Sequence, residues 1–154
     1  MRLLLLSALL ILSGLFHSTN AQSSETGEVQ QTIDRLFEGM IKSDSSIVAS
    51  TFKSDAIMQT IRNHQDGSVS VANGDLSQFL SNIHRAEPGV LNEKLNGYEI
   101  KVDGKLASAW TPYEFYVGEE FSHCGVNSFQ LLKTSEGWKI FHIVDTRRRD
   151  NCVE

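Results

Sequence analysis

Three turn signals in the second half of the chain constrain its fold more than any other feature. Asp103-Gly104, Gly118-Glu119 and Ser135-Glu136-Gly137 separate four long runs rich in β-branched and aromatic residues, 95–102, 106–117, 121–133 and 138–147. Short turns between such runs join antiparallel neighbours, so the sequence predicts a four-strand meander. By alternation, the last strand places Trp138, Ile140 and Val144 on one side and Phe141 and Ile143 on the other. A sheet apolar on both faces needs two covers. Helices supply one, and a second copy or the chain's own segments supply the other.

The first half supplies the helices. Val29, Ile33, Leu36, Phe37, Met40 and Ile41 recur at three- and four-residue spacing and predict an amphipathic helix over 28–42. Asp44 or Ser45 can cap a short second helix holding Ile47, Val48 and Phe52. A strand over 55–61, an Asp66-Gly67 turn and a returning strand over 68–72 follow. Asp75 and Gln78 form a capping-box pattern ahead of a third stripe, Leu76, Phe79, Leu80 and Ile83, which Pro88-Gly89 stops.

Ahead of these elements, Met1-Arg2, the apolar run 3–16 and Thr19-Asn20-Ala21 have the layout of a secretory signal peptide cleaved after Ala21. An uncleaved anchor is the rival reading, but a span needs about 20 apolar residues and this run is shorter. The expectation is therefore a signal peptide over 1–21, a disordered polar segment over 22–27 and one domain over 28–152. Such a chain is secreted or periplasmic, with no membrane association after cleavage. Loss of Arg2 takes the net charge from −5 to −6. That acidity argues against nucleic acid, which needs a basic patch. Arg147-Arg148-Arg149 reads as a solvated strand end.

The order helix, short helix, strand pair, helix, meander resembles the nuclear transport factor 2-like superfamily. Trp110-Thr111-Pro112-Tyr113-Glu114-Phe115, His123-Cys124-Gly125-Val126, Phe129-Gln130-Leu131 and Gly137-Trp138-Lys139-Ile140 resemble the C-terminal half of exported bacterial members of the SnoaL-like or lumazine-binding-like kind. The resemblance implies an α+β, cone-shaped roll of the cystatin-like type: a curved antiparallel sheet of about six strands with three helices packed on its concave face. Steroid isomerases of this fold carry their base as the Asp of an Ala-x-x-x-Asp-Pro run. The matching run here is Ala56-Ile57-Met58-Gln59-Thr60-Ile61, and the hydroxyl of Thr60 cannot serve as an unaided general base. Asp55, just before it, reads as a turn or capping carboxylate.

Hairpin register gives a candidate site. Pairing Lys133 with Trp138 sets Phe129 opposite His142, and pairing Val117 with Glu120 sets Trp110 opposite Asn127. Trp110, Asn127, Phe129, Ile140 and His142 then share one face, which has the make-up of a pocket lining. Pro112 within a strand implies an edge or a bulge that could bring Tyr113 in as well. The expected ligand-binding residues are thus Trp110, Tyr113, Asn127, Phe129 and His142, with His142 as the candidate catalytic group or, alternatively, a packed histidine. His84 reads as a surface residue. His123 and Cys124 point to opposite faces and make no dyad. No histidine or cysteine spacing suits a metal, and no cofactor motif is present. Cys124 and Cys152 can form a disulfide, remain thiols or link subunits.

These features lead to the expectation of an exported homodimeric domain that binds a small organic ligand without catalysis. One alternative is a cofactor-independent lyase, isomerase or cyclase using His142. The other is a structural or protein-interaction module.

Overall fold

The computed structural model describes residues 16–152, with side-chain surroundings from residue 23 onward. Most of the expected signal segment, residues 1–15 of 1–21, lies outside the described residues. The first helix, α1 (Phe16–Ile41), is longer than its apolar stripe. Val29, Ile33, Leu36 and Met40 are buried along it. Residues 22–27, expected to be disordered, are helical in this chain. Lys133 Nζ ties the added turns to the sheet through Glu25 at 3.0 Å and Glu28 at 3.1 Å.

The second helix, α2 (Ser45–Thr51), starts at Asp44, whose carboxylate accepts the backbone N–H groups of Ser46 and Ile47. It lies tight against α1 because Gly39 has no side chain: a Cβ there would sit 2.7 Å from Val48 Cγ2. The third helix, α3 (Leu76–Arg85), starts at Asp75, which accepts from Gln78 N at 2.7 Å. It buries Ile83 and sets Phe79 edge-on to Phe52.

The strands are β1 (Phe52–Asn63), β2 (Val69–Gly74), β3 (Leu91–Leu95), β4 (Glu99–Asp103), β5 (Leu106–Val117), β6 (Glu120–Thr134) and β7 (Gly137–Thr146). They form one curved, unclosed sheet in the order β2-β1-β7-β6-β5-β3, with β4 also on β5. Among the described residues the sheet has seven strands rather than about six, and it is mixed: β1 runs parallel to β7, while the other pairs are antiparallel. The extra strand arises because β3 and β4 divide one edge of β5 between them. β3 pairs from Tyr113 to Val117, and β4 pairs from Leu106 to Trp110. Pro112 sits in the gap, where its carbonyl accepts Asn96 N at 2.8 Å. The donor it lacks falls on the stretch of edge that neither strand occupies, so no ladder bond is lost.

Two bulges set which side chains face the helices. One, between Phe115 and Tyr116 on the β5–β6 pair, moves Trp110 from Asn127 to Ser128 and puts Thr111 opposite Asn127. The other leaves Phe141 unpaired, so that Leu131 meets Ile140 but Gln130 meets His142. A bulge adds one residue to one strand and inverts alternation beyond it. Trp138 and Ile140 therefore face the helices together with Ile143 and Asp145, not with Val144. The concave face holds the core, including Ala107, Ala109, Phe129 and Leu131 beneath α1. At the far end, Cys124 and Cys152 form a disulfide with Cα atoms 5.7 Å apart, beside a backbone bridge between Cys124 and Arg148. Among the described residues, no helix is long and apolar enough to cross a membrane.

Candidate functional site

The helices do not fill the cone. A cavity of about 310 Å³ opens between α1, α3 and the sheet, walled by Leu36, Phe37, Met40, Phe52, Met58, Phe79 and Ile143. A second lobe, also about 310 Å³, reaches toward Tyr113, Phe115 and His123. The two share Met40, Phe79, Asn82, Glu93, Asp145 and Arg147. Where the lobes meet, the lining changes from apolar to charged.

The register explains this polar end. Thr60, Asp145, Asn127 and Thr111 stand opposite one another on β1, β7, β6 and β5, one rung across four strands. Glu93 joins them from β3, where it stands opposite Phe115. Asn127 Nδ2 donates to Glu93 Oε1 at 2.7 Å. Arg147 Nε donates to Asp145 Oδ2 at 2.7 Å. Tyr113 OH donates to the Thr146 carbonyl at 3.0 Å and lies 3.4 Å from Asp145 Oδ2. Asp145 is only 8 % exposed, yet its Oδ1 has no donor among the described residues, and neither does the buried Thr111 Oγ1 have a partner.

The electrostatics follow from this crowding. Burial pushes the Glu93 carboxyl up to about 7; the Asp145 charge adds to the rise, and the Asn127 hydrogen bond and Arg147 oppose it. Burial, then the Asp145 and Glu93 charges, hold the Tyr113 hydroxyl far above its ordinary value, so it serves as a donor and not a base. Burial and then Arg147 lower His123, whose ring lies edge-on to Tyr113 and tilted against Phe115. No group of three or more His, Cys, Asp or Glu side chains among the described residues is arranged to hold a metal ion.

The structure divides the site expected from hairpin register. Asn127 lies in the cavity wall, and Tyr113 lines the second lobe. Phe129 is fully buried, edge-on to Phe37, as part of the core and not of a lining. Trp110 is 48 % exposed on the convex face. His142 shares that face and pairs its Nε2 with Gln59 Oε1 at 3.0 Å. The two bulges are the physical reason for these exchanges. The missed residues are Glu93, Asp145 and Arg147. Their signals were present. Leu91, Glu93 and Leu95 alternate onto one face, so a carboxylate sits between two apolar neighbours. Asp145, near the end of β7, and Arg147, the residue just past it, lie two apart and line the same cavity.

No family model matches the chain, and no curated protein matches it. Solved structures do. An NTF2-like protein of unknown function from Shewanella baltica is similar with a TM-score of 0.63 at 19 % identity, over 83 % of this chain and 97 % of that one. An NTF2-like protein with a cystatin-like fold from Novosphingobium aromaticivorans matches with a TM-score of 0.64 at 18 % identity, over 90 % and 94 %. A Streptomyces avermitilis protein described as a candidate dehydratase of the NTF2-like family matches with a TM-score of 0.61 at 13 % identity, over 82 % and 97 %. At these identities the likeness establishes the fold.

Proposed function

We propose that this chain, which has the nuclear transport factor 2-like fold, holds a small organic molecule in its cone. The observation that carries the reading is the shape and chemistry of the cavity: apolar walls leading to Glu93, Asn127 and Asp145, with one buried carboxylate oxygen left without a donor. Ligand pockets combine an apolar lining with a few convergent polar groups. The ligand is bound by the apolar walls and oriented at the polar end. A binding role fits the absence of a carboxylate at Thr60, where isomerases of this fold keep their base. The disulfide supports export to an oxidising compartment. Exposed Ile57 and Trp110 on the convex face support pairing of two copies there, which native mass spectrometry would register as a dimer.

Proton transfer is the second reading, and one observation favours it: Glu93, at about 7, can take or give a proton near neutral pH. Under that reading Glu93, and not His142, is the acid–base group of a lyase or isomerase. A thermal-shift screen of small molecules tests the first reading, because a ligand that binds only the folded state raises the melting temperature. Hits should lose their effect when Met58→Trp fills the cavity; retention of the effect would refute binding in the cone. For any hit that is also converted, Glu93→Gln should abolish turnover while binding persists.

A further inference from the structure

We infer that the cone selects a ligand whose polar end is a hydrogen-bond donor carrying positive charge, a protonated amine on an apolar body, received by the carboxylates of Asp145 and Glu93. This rests on the reading of the cone as a ligand site and names the class of ligand. Three donors at the polar end are already committed. Asn127 Nδ2 is given to Glu93, Arg147 Nε to Asp145 Oδ2, and the Tyr113 hydroxyl to the Thr146 carbonyl. Acceptor capacity remains beside the unpaired Thr111 hydroxyl. Asp145 lines both lobes, is 8 % exposed, and has one oxygen with no donor among the described residues. A buried carboxylate oxygen gains most from a charged donor.

The charges agree with the hydrogen-bond count. Three acids, Asp75 at the start of α3, Glu93 on β3 and Asp145 on β7, line the first lobe against one base, Arg147. His123 on β6 and Tyr113 on β5 face the second lobe. Arg147 holds Asp145 from the mouth with a side chain that is 55 % exposed, and an anion drawn to it would meet both carboxylates. An ammonium beside Glu93 favours the ionised carboxylate, so amine affinity rises with pH as Glu93 gives up its proton.

Three probes of one shape and different charge test this: 2-phenylethylamine, 2-phenylethanol and 3-phenylpropionate, each titrated into the ¹⁵N-labelled protein. The amine should shift the amides of Glu93, Asn127 and Asp145 saturably, about tenfold more tightly than the alcohol, while the acid should bind weakest. Asp145→Asn should weaken the amine by about tenfold and leave the alcohol unchanged. Binding of the acid as tight as that of the amine, or equal binding of all three, overturns the inference and leaves the cone as a ligand site. No shift at the cone from any probe overturns both. The comparison of probes on the unaltered protein decides the matter even where Asp145→Asn fails to fold.

Discussion

Replacing Glu93 with Gln should flatten the dependence of stability on pH. In the unfolded chain Glu93 titrates near its ordinary value of 4.5, and in the folded protein at about 7. Between those values the folded state holds the proton that the unfolded state has lost. Its folded value is raised, so Glu93 costs the protein stability as pH climbs from about 4.5 to about 7, and the cost is constant above that. A pKa difference of one is worth about 1.4 kcal/mol, which puts a ceiling of about 2.5 kcal/mol on the loss between about pH 5 and about pH 8. Glu93 is only half-buried against the cavity, so water reduces this to roughly 1–2 kcal/mol. Gln keeps an oxygen for the Asn127 amide and removes the titration. Urea unfolding followed by the fluorescence of buried Trp138 measures both proteins at both pH values. Subtracting the two profiles removes His123 and every other shared group. The Gln variant should gain on the parent as pH rises. Parallel profiles would refute the burial of Glu93 as the source of its shift.

Gly125→Ala should be severely destabilising, because its Cβ would lie 1.8 Å from the Thr146 carbonyl oxygen. Backbone there cannot yield without breaking the Tyr113 hydrogen bond, so a loss of about 3 kcal/mol in a urea titration is expected. Reduction of Cys124–Cys152, which closes 28 residues, should lower stability by roughly 3.5 kcal/mol; a loss under about 1 kcal/mol would show that the tail is held by other contacts. His142→Gln should leave the affinity of any cone ligand unchanged, since the ring faces away from the cavity and meets Gln59; a fall of about tenfold would return the site to the convex face.

The helices and turns were legible because their signals are local. Asp44 and Asp75 cap the helices that follow them, and the stripe from Val29 to Met40 is buried as its spacing requires. Lys133 does pair with Trp138, so the hairpin end was readable too. What could not be read is how far that register carries. The skipped residue at Phe141 has no Gly or Pro to mark it, yet it sends His142 outward and Asp145 inward. β3 was missed for a related reason. Leu91–Leu95 joins its partner across the sheet edge at Tyr113–Val117, a pairing fixed by tertiary contact and not by an adjacent turn. Glu93 was lost with it. The candidate site thus depended on non-local register, and Asn127 and Tyr113 survived because their own neighbours on β5 and β6 carry them to the concave face.

Crystallographic soaking of small aromatic amines, alcohols and acids tests the central claim most directly. The expected result is density inside the cone, against Leu36, Met58 and Phe79, with a donor within hydrogen-bond reach of the Asp145 or Glu93 carboxylate. Compounds found only on the convex face beside Trp110 and His142, with the cone unfilled at saturating concentration, would contradict it.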